Sequence, residues 1–277
     1  MDQPHLSAGD LLRQWRQRRR LSQLQLAVQA EISSRHLSFI ETGRARPSRE
    51  MLLHLAQRLE IPLRERNRLL LAAGFAPVFG ERTLDQPEMA PVRAAVERLL
   101  AAHEPYPAAV HDTRWNLVAA NRGVGPLLEG IDPGLLEPPA NMLRATLNPN
   151  GLAPRIINFA ECSAQTLRRL EREISVNGDP ELVALYEELA SYPGVNPDYE
   201  ASDLDLHGAV FVPLRLRYPT GELSFFSTVT SFGTPLDITV ADLVIESFYP
   251  ADSSTAETLA RMHRTAQETR PMDSDPD

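Results

Sequence analysis

The chain has 277 residues, of which 43% are hydrophobic and 23% charged, a composition typical of globular proteins and a length sufficient for two domains. No stretch of about 18 apolar residues occurs, and no basic leader precedes an apolar segment, so we expect neither a membrane span nor secretion. A single cysteine excludes an internal disulfide and a multi-thiolate zinc site. We therefore expect a cytoplasmic protein that does not associate with membranes.

The charge is divided unevenly along the chain. Although the formal net charge is −9, residues 1–80 contain 13 arginines against 7 acidic residues, a net of +6, and the remainder carries −15. A basic first part beside an acidic remainder is typical of one module that contacts phosphate and a second module that does not.

The first third of the chain predicts five helices. Apolar residues recur there at helical spacing after a series of serines that can act as N-caps, and Gln25 and Asp10 stand three residues after two of them. Pro62 is predicted at the first position of the fifth helix, and Gly43 and Gly74 are predicted to end the third and fifth helices. The predicted N-caps are Ser7, Ser22, Ser33 and Ser48.

The second and third predicted helices have the spacing of a helix-turn-helix, in which the second helix of the motif enters the major groove of DNA. Arg35 can bind guanine through O6 and N7, and Phe39 can contact a thymine methyl group. Gln23, Arg44 and Arg46 are placed to contact phosphates. The predicted DNA-binding residues are Gln23, Ser33, Ser34, Arg35, Ser38, Phe39, Thr42, Arg44 and Arg46.

Residues 9–75 resemble the Xre (Cro/repressor-type) helix-turn-helix family. The resemblance implies an all-α DNA-binding domain over residues 1–76, with an ion pair between Arg16 and Glu41. Glu31 stands in the turn where many members have glycine. The alternative interpretation is a five-helix protein-interaction domain that does not bind DNA. The residues that carry the resemblance are Arg16, Ser22, Gln23, Leu26, Ala27, Ala30, Ser33, Ser38, Glu41, Gly43, Pro47, Ser48, Leu55, Ala56 and Leu59.

The rest of the chain predicts an α+β domain. Residues 77–90 lose all periodicity and are interpreted as a linker before a helix over 91–103. Strands are predicted within 108–120, 208–218, 222–232 and 238–249, with a hairpin turn at 218–222. Helices are predicted over 160–177 and 180–191. The domain is predicted to span 91–252, and 253–277 to hold the end of a helix and a disordered tail.

Three short motifs in this region resemble the MmyB-like ligand-binding domain over residues 105–250. The resemblance implies a PAS-like antiparallel sheet with helices over one face, and a sensing role. Leu147 replaces the usual phenylalanine and Phe248 begins an unusual strand ending, so the identity of the ligand does not carry over. The motifs are Asp112-Thr113-Arg114-Trp115-Asn116 with Asn121, then Asn141-Met142-Leu143-Arg144, and Tyr218-Pro219-Thr220-Gly221-Glu222-Leu223.

A sheet covered on one face can enclose a cavity for a small molecule. Its predicted lining is Trp115, Leu117, Leu216, Phe225 or Phe226, and Ile245. Asn121, Arg144 and His207 are the predicted polar anchors, of which Arg144 suits a carboxylate best. The predicted ligand-binding residues are thus Trp115, Asn121, Arg144, His207 and Phe225. No cofactor is required, and a bound fatty acid or similar apolar molecule is expected; the alternative is that these residues fill a dry core.

Catalysis is the least supported class. Asp203, Asp205 and His207 alternate as a metal site would require, but a solvated acidic loop is favoured because no fourth ligand is fixed. Cys162 is interpreted as a packed thiol rather than a nucleophile. The sequence therefore predicts a non-enzymatic, homodimeric transcription regulator that binds double-stranded DNA and senses a small molecule. The alternative is a phage- or antitoxin-type repressor whose second domain binds only a protein partner.

Overall fold

The computed structural model describes residues 6–199 and 211–268. Within these residues the chain forms two compact units. The first contains the residues up to Thr83 together with Ser175–Gly178 and Thr234–Ala241, and the second contains Leu84–Ile174, Asp179–Gly233 and the residues from Asp242. Among the described helices, none combines the length and apolarity needed to cross a bilayer.

Five helices build the first unit, as predicted. They are α1 (Ala8–Arg18), α2 (Gln23–Gln29), α3 (Ser34–Glu41), α4 (Arg49–Arg58) and α5 (Leu63–Ala72). All four predicted serine caps are confirmed, and α1 and α2 each begin with a capping box. The prediction for Pro62 is wrong by one position: its ψ of 149° is extended, so it caps α5 from outside the helix.

The core of the first unit is formed by the inward faces of these helices, with Leu12, Trp15, Leu37 and Leu55 all buried. Helices α1 and α3 approach closely because Gly9 has no side chain. A Cβ atom there would lie 2.5 Å from the carbonyl oxygen of Ile40, so any larger residue would push the two helices apart. The close approach fixes how α3 lies on α1.

The segment predicted as a linker is structured where it joins each unit. In the first unit, Gly80 pairs with Asp237, and the Arg82 guanidinium binds the Asp237 carboxylate at 2.9 Å. In the second unit, a 3₁₀ turn at Pro87–Met89 leads directly into α6 (Ala90–His103), and the Met89 side chain is buried.

A five-stranded antiparallel sheet forms the centre of the second unit. The strands are β1 (Ala108–His111), β2 (Leu117–Ala120), β3 (Leu214–Tyr218), β4 (Gly221–Ser231) and β5 (Val244–Pro250), in the order β2-β1-β5-β4-β3. The predicted β3–β4 hairpin is confirmed, with Tyr218 opposite Gly221. Residues 208–210 of the predicted strand lie outside the described residues.

The last predicted strand begins too early. Ile238–Asp242 forms a short helix, α11, and β5 starts only at Val244. Asp237 explains the difference, because its Oδ1 accepts the backbone N–H of Thr239 and starts a helical turn that the β-branched residues would not suggest.

Helices cover both faces of the sheet. On one face, Val96 and Leu100 of α6 pack against Val110 and Ile245. The other face is covered by α7 (Gly125–Leu128), α8 (Met142–Leu147) and α9 (Phe159–Asn177), and α10 (Pro180–Ala190) packs on α8 and α9. The last described element is α12 (Ser253–Glu268), while the predicted disordered tail beyond it lies outside the described residues. The predicted fold class, an all-α unit and an α+β unit, is confirmed, except that helices cover both faces of the sheet rather than the one face predicted, because α6 packs against Val110 and Ile245.

Candidate functional site

Helix α3 presents one buried and one accessible face. Leu37, Ile40 and Glu41 are buried, whereas Arg35 is exposed and Phe39 half-buried. The Arg35 guanidinium lies 5.3 Å from the centre of the Phe39 ring, an arrangement that orients both side chains together on the accessible face. Ser34 and Ser38 are half-buried on the same helix, and Ser33 caps its N-terminus by accepting the His36 N–H.

The remaining predicted DNA-binding residues flank this helix. Thr42, Arg44 and Arg46 are exposed, although the Thr42 hydroxyl donates to the Ser38 carbonyl at 2.7 Å. Gln23 is half-buried, and its Nε2 donates to Glu41 Oε2 at 2.8 Å. One of the two amide hydrogens of Gln23 is therefore already engaged, which leaves the other for a phosphate.

Glu41 is the centre of a buried polar network beneath α3. The Arg16 Nε donates to Oε1 at 2.7 Å and Nη2 to Oε2 at 2.9 Å, and the two side chains are only 10% and 1% exposed. The hydrogen bonds that Arg16 donates to Glu41 raise the pKa of Arg16 above its ordinary value, because they stabilise the charged guanidinium. The ion pair implied by the resemblance to the Xre family is present, and it ties α1 to the end of α3.

The second unit contains a cavity between the sheet and α7–α8, here called the apolar chamber. The cavity measures about 100 Å³ and is partly open to solvent. Leu117, Leu216 and Phe225 line it from the sheet, and Leu127 and Ala145 line it from the helices. Apart from Asn141 and Thr146, all the side chains that line it are apolar, so a ligand would contact mostly hydrocarbon.

A second space, here called the polar chamber, lies between the sheet and α9. The cavity measures about 210 Å³ and is partly open to solvent, and it is lined by Gln165, Thr166 and Arg169 from α9 and by Ser227 and Glu246 from the sheet. Five residues line both chambers, so the two are adjacent; they are Met142, Thr146, Leu214, Phe225 and Phe248.

Charged side chains meet at the polar chamber. Glu246 Oε1 accepts hydrogen bonds from Arg169 Nη1 at 3.1 Å and from Ser227 Oγ at 2.9 Å. Arg169 Nε also donates to Glu173 Oε1 at 3.3 Å, and the indole N–H of Trp115 donates to the other Glu173 oxygen at 2.9 Å. Arg169 is therefore shared by two carboxylates, while its guanidinium carbon lies 4.2 Å from the Trp115 ring centre.

His111 completes the buried group. Its ring stacks on Trp115 with a centroid distance of 4.4 Å, and its Nδ1 lies 2.7 Å from the Asp112 carbonyl. Nε2 is buried and has no hydrogen-bond partner within the described part of the chain. Burial lowers the pKa of His111, because the charged imidazolium loses hydration there, so the ring is neutral at pH 7.

The motif around Trp115 shapes a turn. Asp112 Oδ1 accepts the backbone N–H groups of Arg114 and Asn116, and this turn holds Trp115 at a φ of +67°. Asn141 Oδ1 caps α8 by accepting the N–H groups of Leu143 and Arg144. These motif residues position Trp115 and α8 at the chambers, and Asn141 also contributes a polar side chain to the lining of the apolar chamber.

The structure places only some of the predicted ligand residues at the chambers. Trp115 lines the polar chamber and Phe225 lines both. Asn121 is instead a buried structural residue that donates to the Leu100 and Tyr106 carbonyls and accepts the Ala108 N–H. Arg144 lies outside both linings and forms a two-pronged ion pair with Glu188. His207 lies outside the described residues.

Two further corrections concern the predicted cavity and the metal site. Ile245 packs beneath α6 on the opposite face of the sheet, and Phe226 stacks on Tyr249 rather than on either lining. Asp203 and Asp205 lie outside the described residues, and the part of the chain that the structure describes holds no group of three metal-ligating side chains.

Sequence reasoning missed Arg169, Ser227 and Glu246. The sequence offered one signal of this polar site. Glu246 is a carboxylate inside the apolar strand Val244–Pro250, and the alternation of side chains along a strand places it on a face of the sheet that helices cover. Cys162 lines the same chamber, and burial raises the pKa of its thiol to about 12, which makes it unreactive as a nucleophile.

A helical unit with a helix-turn-helix, joined in one chain to an α+β unit with an internal cavity, is the architecture of a DNA-binding transcription regulator with a ligand-binding domain. The family described as a helix-turn-helix domain matches residues 7–69. The family described as the MmyB-like transcription regulator ligand binding domain matches residues 92–262, more than half of the chain. The chain therefore belongs to the MmyB-like family of transcription regulators. Both matching families are regulator domains rather than enzymes. No curated protein matches the chain.

Proposed function

We propose that this DNA-binding regulator is controlled by an apolar, chain-like small molecule, of the fatty-acid type in its hydrocarbon part, held in the apolar chamber. The observation that carries the proposal is the chamber itself, a cavity of about 100 Å³ lined almost entirely by apolar side chains. Concave sites lined mainly by apolar side chains with a few polar groups are typical of small-molecule binding. Each methylene buried there contributes about 0.8 kcal/mol without needing a polar partner.

DNA binding in this proposal uses α3 as the recognition helix of a homodimer. Arg35 and Phe39 read base edges, while Arg44 and Arg46 contact phosphates. Two recognition helices must reach half-sites about 34–36 Å apart, so the arrangement of the dimer sets the DNA affinity. A ligand can change that affinity only if it binds two dimer arrangements with different affinities.

The test is a DNA-binding titration of the delipidated, full-length protein with and without a ten-carbon chain compound. We expect the compound to bind and to change the DNA affinity at least five-fold. Ala145→Phe, which fills the apolar chamber, should abolish both effects, whereas Ala120→Phe, at an exposed position on β2, should preserve them. If chain compounds do not bind the wild-type protein, the interaction-only repressor replaces this proposal.

A further inference from the structure

The charges of the polar chamber indicate which head group its ligand carries. In the described lining, Arg169 and Glu246 are the charged residues, and their side chains are 26% and 8% exposed. Both belong to the shared network described above, so neither behaves as an isolated surface charge.

Arg169 does not provide a free cation. Its Nε and Nη1 already bind Glu173 and Glu246, and one face of its guanidinium lies against Trp115. Two carboxylates on one guanidinium give the group a formal charge of −1. A ligand carboxylate would be the third anion on this arginine, and it would lose its hydration without gaining a cation of its own.

Glu246 retains an unused acceptor. Its Oε1 accepts from Arg169 and Ser227, but Oε2 accepts none of the hydrogen bonds formed among the described residues. Glu246 lines the chamber and Oε2 is not among the fully buried polar atoms without a partner, so this oxygen is accessible to water there. A ligand that donates a hydrogen bond would replace that hydration.

We propose that the polar chamber holds the head group of the chain-like ligand and selects a hydrogen-bond donor, a hydroxyl, amide or amine, over a carboxylate. The inference rests on the proposed function, since the hydrocarbon part occupies the apolar chamber. Met142, Leu214 and Phe225 line both spaces, so a chain lying along them reaches from one lining to the other. Glu246 accepts the head-group hydrogen, and Arg169 and Ser227 hold Glu246 in place.

The test compares three probes of equal chain length, decan-1-ol, decylamine and decanoate, by calorimetry on delipidated full-length protein at pH 7.5. We expect the alcohol and the amine to bind at least ten-fold more tightly than decanoate. Equal or tighter binding of decanoate overturns the head-group assignment and leaves the proposed function standing. If none of the three probes binds, the proposed function fails and this inference fails with it.

Glu246→Gln tests the residue itself, because it removes the charge and keeps the shape. We expect the preference for decylamine over decanoate to fall at least ten-fold. The matched control is Glu171→Gln, on the same helix but outside the lining, where the carboxylate accepts from the Tyr186 hydroxyl, and it should leave the order of the three probes unchanged. An unchanged preference in Glu246→Gln overturns the role of Glu246; if that variant does not fold, the wild-type ranking still decides the proposal.

Discussion

Replacing Glu41 with alanine tests how the recognition helix is held on its unit. The carboxylate accepts hydrogen bonds from Arg16 Nε at 2.7 Å, from Arg16 Nη2 at 2.9 Å and from Gln23 Nε2 at 2.8 Å. Glu41→Ala removes all three and leaves the Arg16 charge in a site where its side chain is only 10% exposed. Breaking a buried pair in this way destabilises a protein by about 3–5 kcal/mol, because the remaining charge is neither paired nor hydrated.

The lower end of that range applies here. Arg16 keeps one hydrogen bond, from Nη1 to the Leu21 carbonyl at 2.8 Å, and it retains slight access to water. We therefore expect a loss of about 3 kcal/mol in the free energy of unfolding of the first unit. For a unit of this size, such a loss lowers the melting temperature by roughly 12–24 °C.

Urea unfolding followed by tryptophan fluorescence measures this loss. The chain has two tryptophans, so Trp115→Phe in every sample leaves Trp15, which is buried in the first unit, as the reporter. The matched control is Glu65→Ala, which removes an ion pair to Arg68 whose side chain is 65% exposed and should cost less than about 1 kcal/mol. Equal losses for the two variants would refute the argument that burial makes the Glu41 network strong.

Three further outcomes are expected. Arg35→Ala should lose about 1–3 kcal/mol of base discrimination. Arg46→Ala should weaken binding to cognate and scrambled DNA equally and reduce the slope of log affinity against log salt concentration by about 1. If both variants lose base preference equally, the assignment of Arg35 to a base and Arg46 to a phosphate is contradicted. Glu31→Gly should stabilise the first unit by about 0.5–1 kcal/mol in urea unfolding, because Glu31 has a φ of +53°; destabilisation contradicts this. With its pKa raised to about 12 by burial, Cys162 should resist iodoacetamide at pH 8 until the protein is unfolded; rapid labelling of native protein contradicts its burial.

The first unit could be predicted closely because its signals are local. A serine N-cap and the residue three positions later fix the start of a helix by hydrogen bonds to each other's backbone, as Ser22 and Gln25 do. The same locality explains the success at the β3–β4 turn. Local signals failed where one side chain outweighed composition, as when Asp237 started a helix in a segment rich in β-branched residues.

The ligand cavity was harder to predict because its polar residues are distant in sequence. Arg169 and Glu246 are 77 positions apart, and no periodicity connects a helix surface to a strand so far along the chain. Arg144 was predicted as an anchor because a guanidinium suits a carboxylate, yet Glu188, 44 positions later, pairs with it. Apolar lining residues such as Leu216 were predictable, because alternation in a strand already assigns them to one face.

Phe225 lines both chambers and is 1% exposed, so its ring is part of the wall where they meet. This one side chain therefore determines how the interior volume is divided between the two chambers. Shortening this side chain would widen the connection between the two spaces and leave room for branched or cyclic molecules, while α3 and its contacts would be untouched by the change. Such a variant is a starting point for biosensors that respond to a different small molecule while they bind the same promoter.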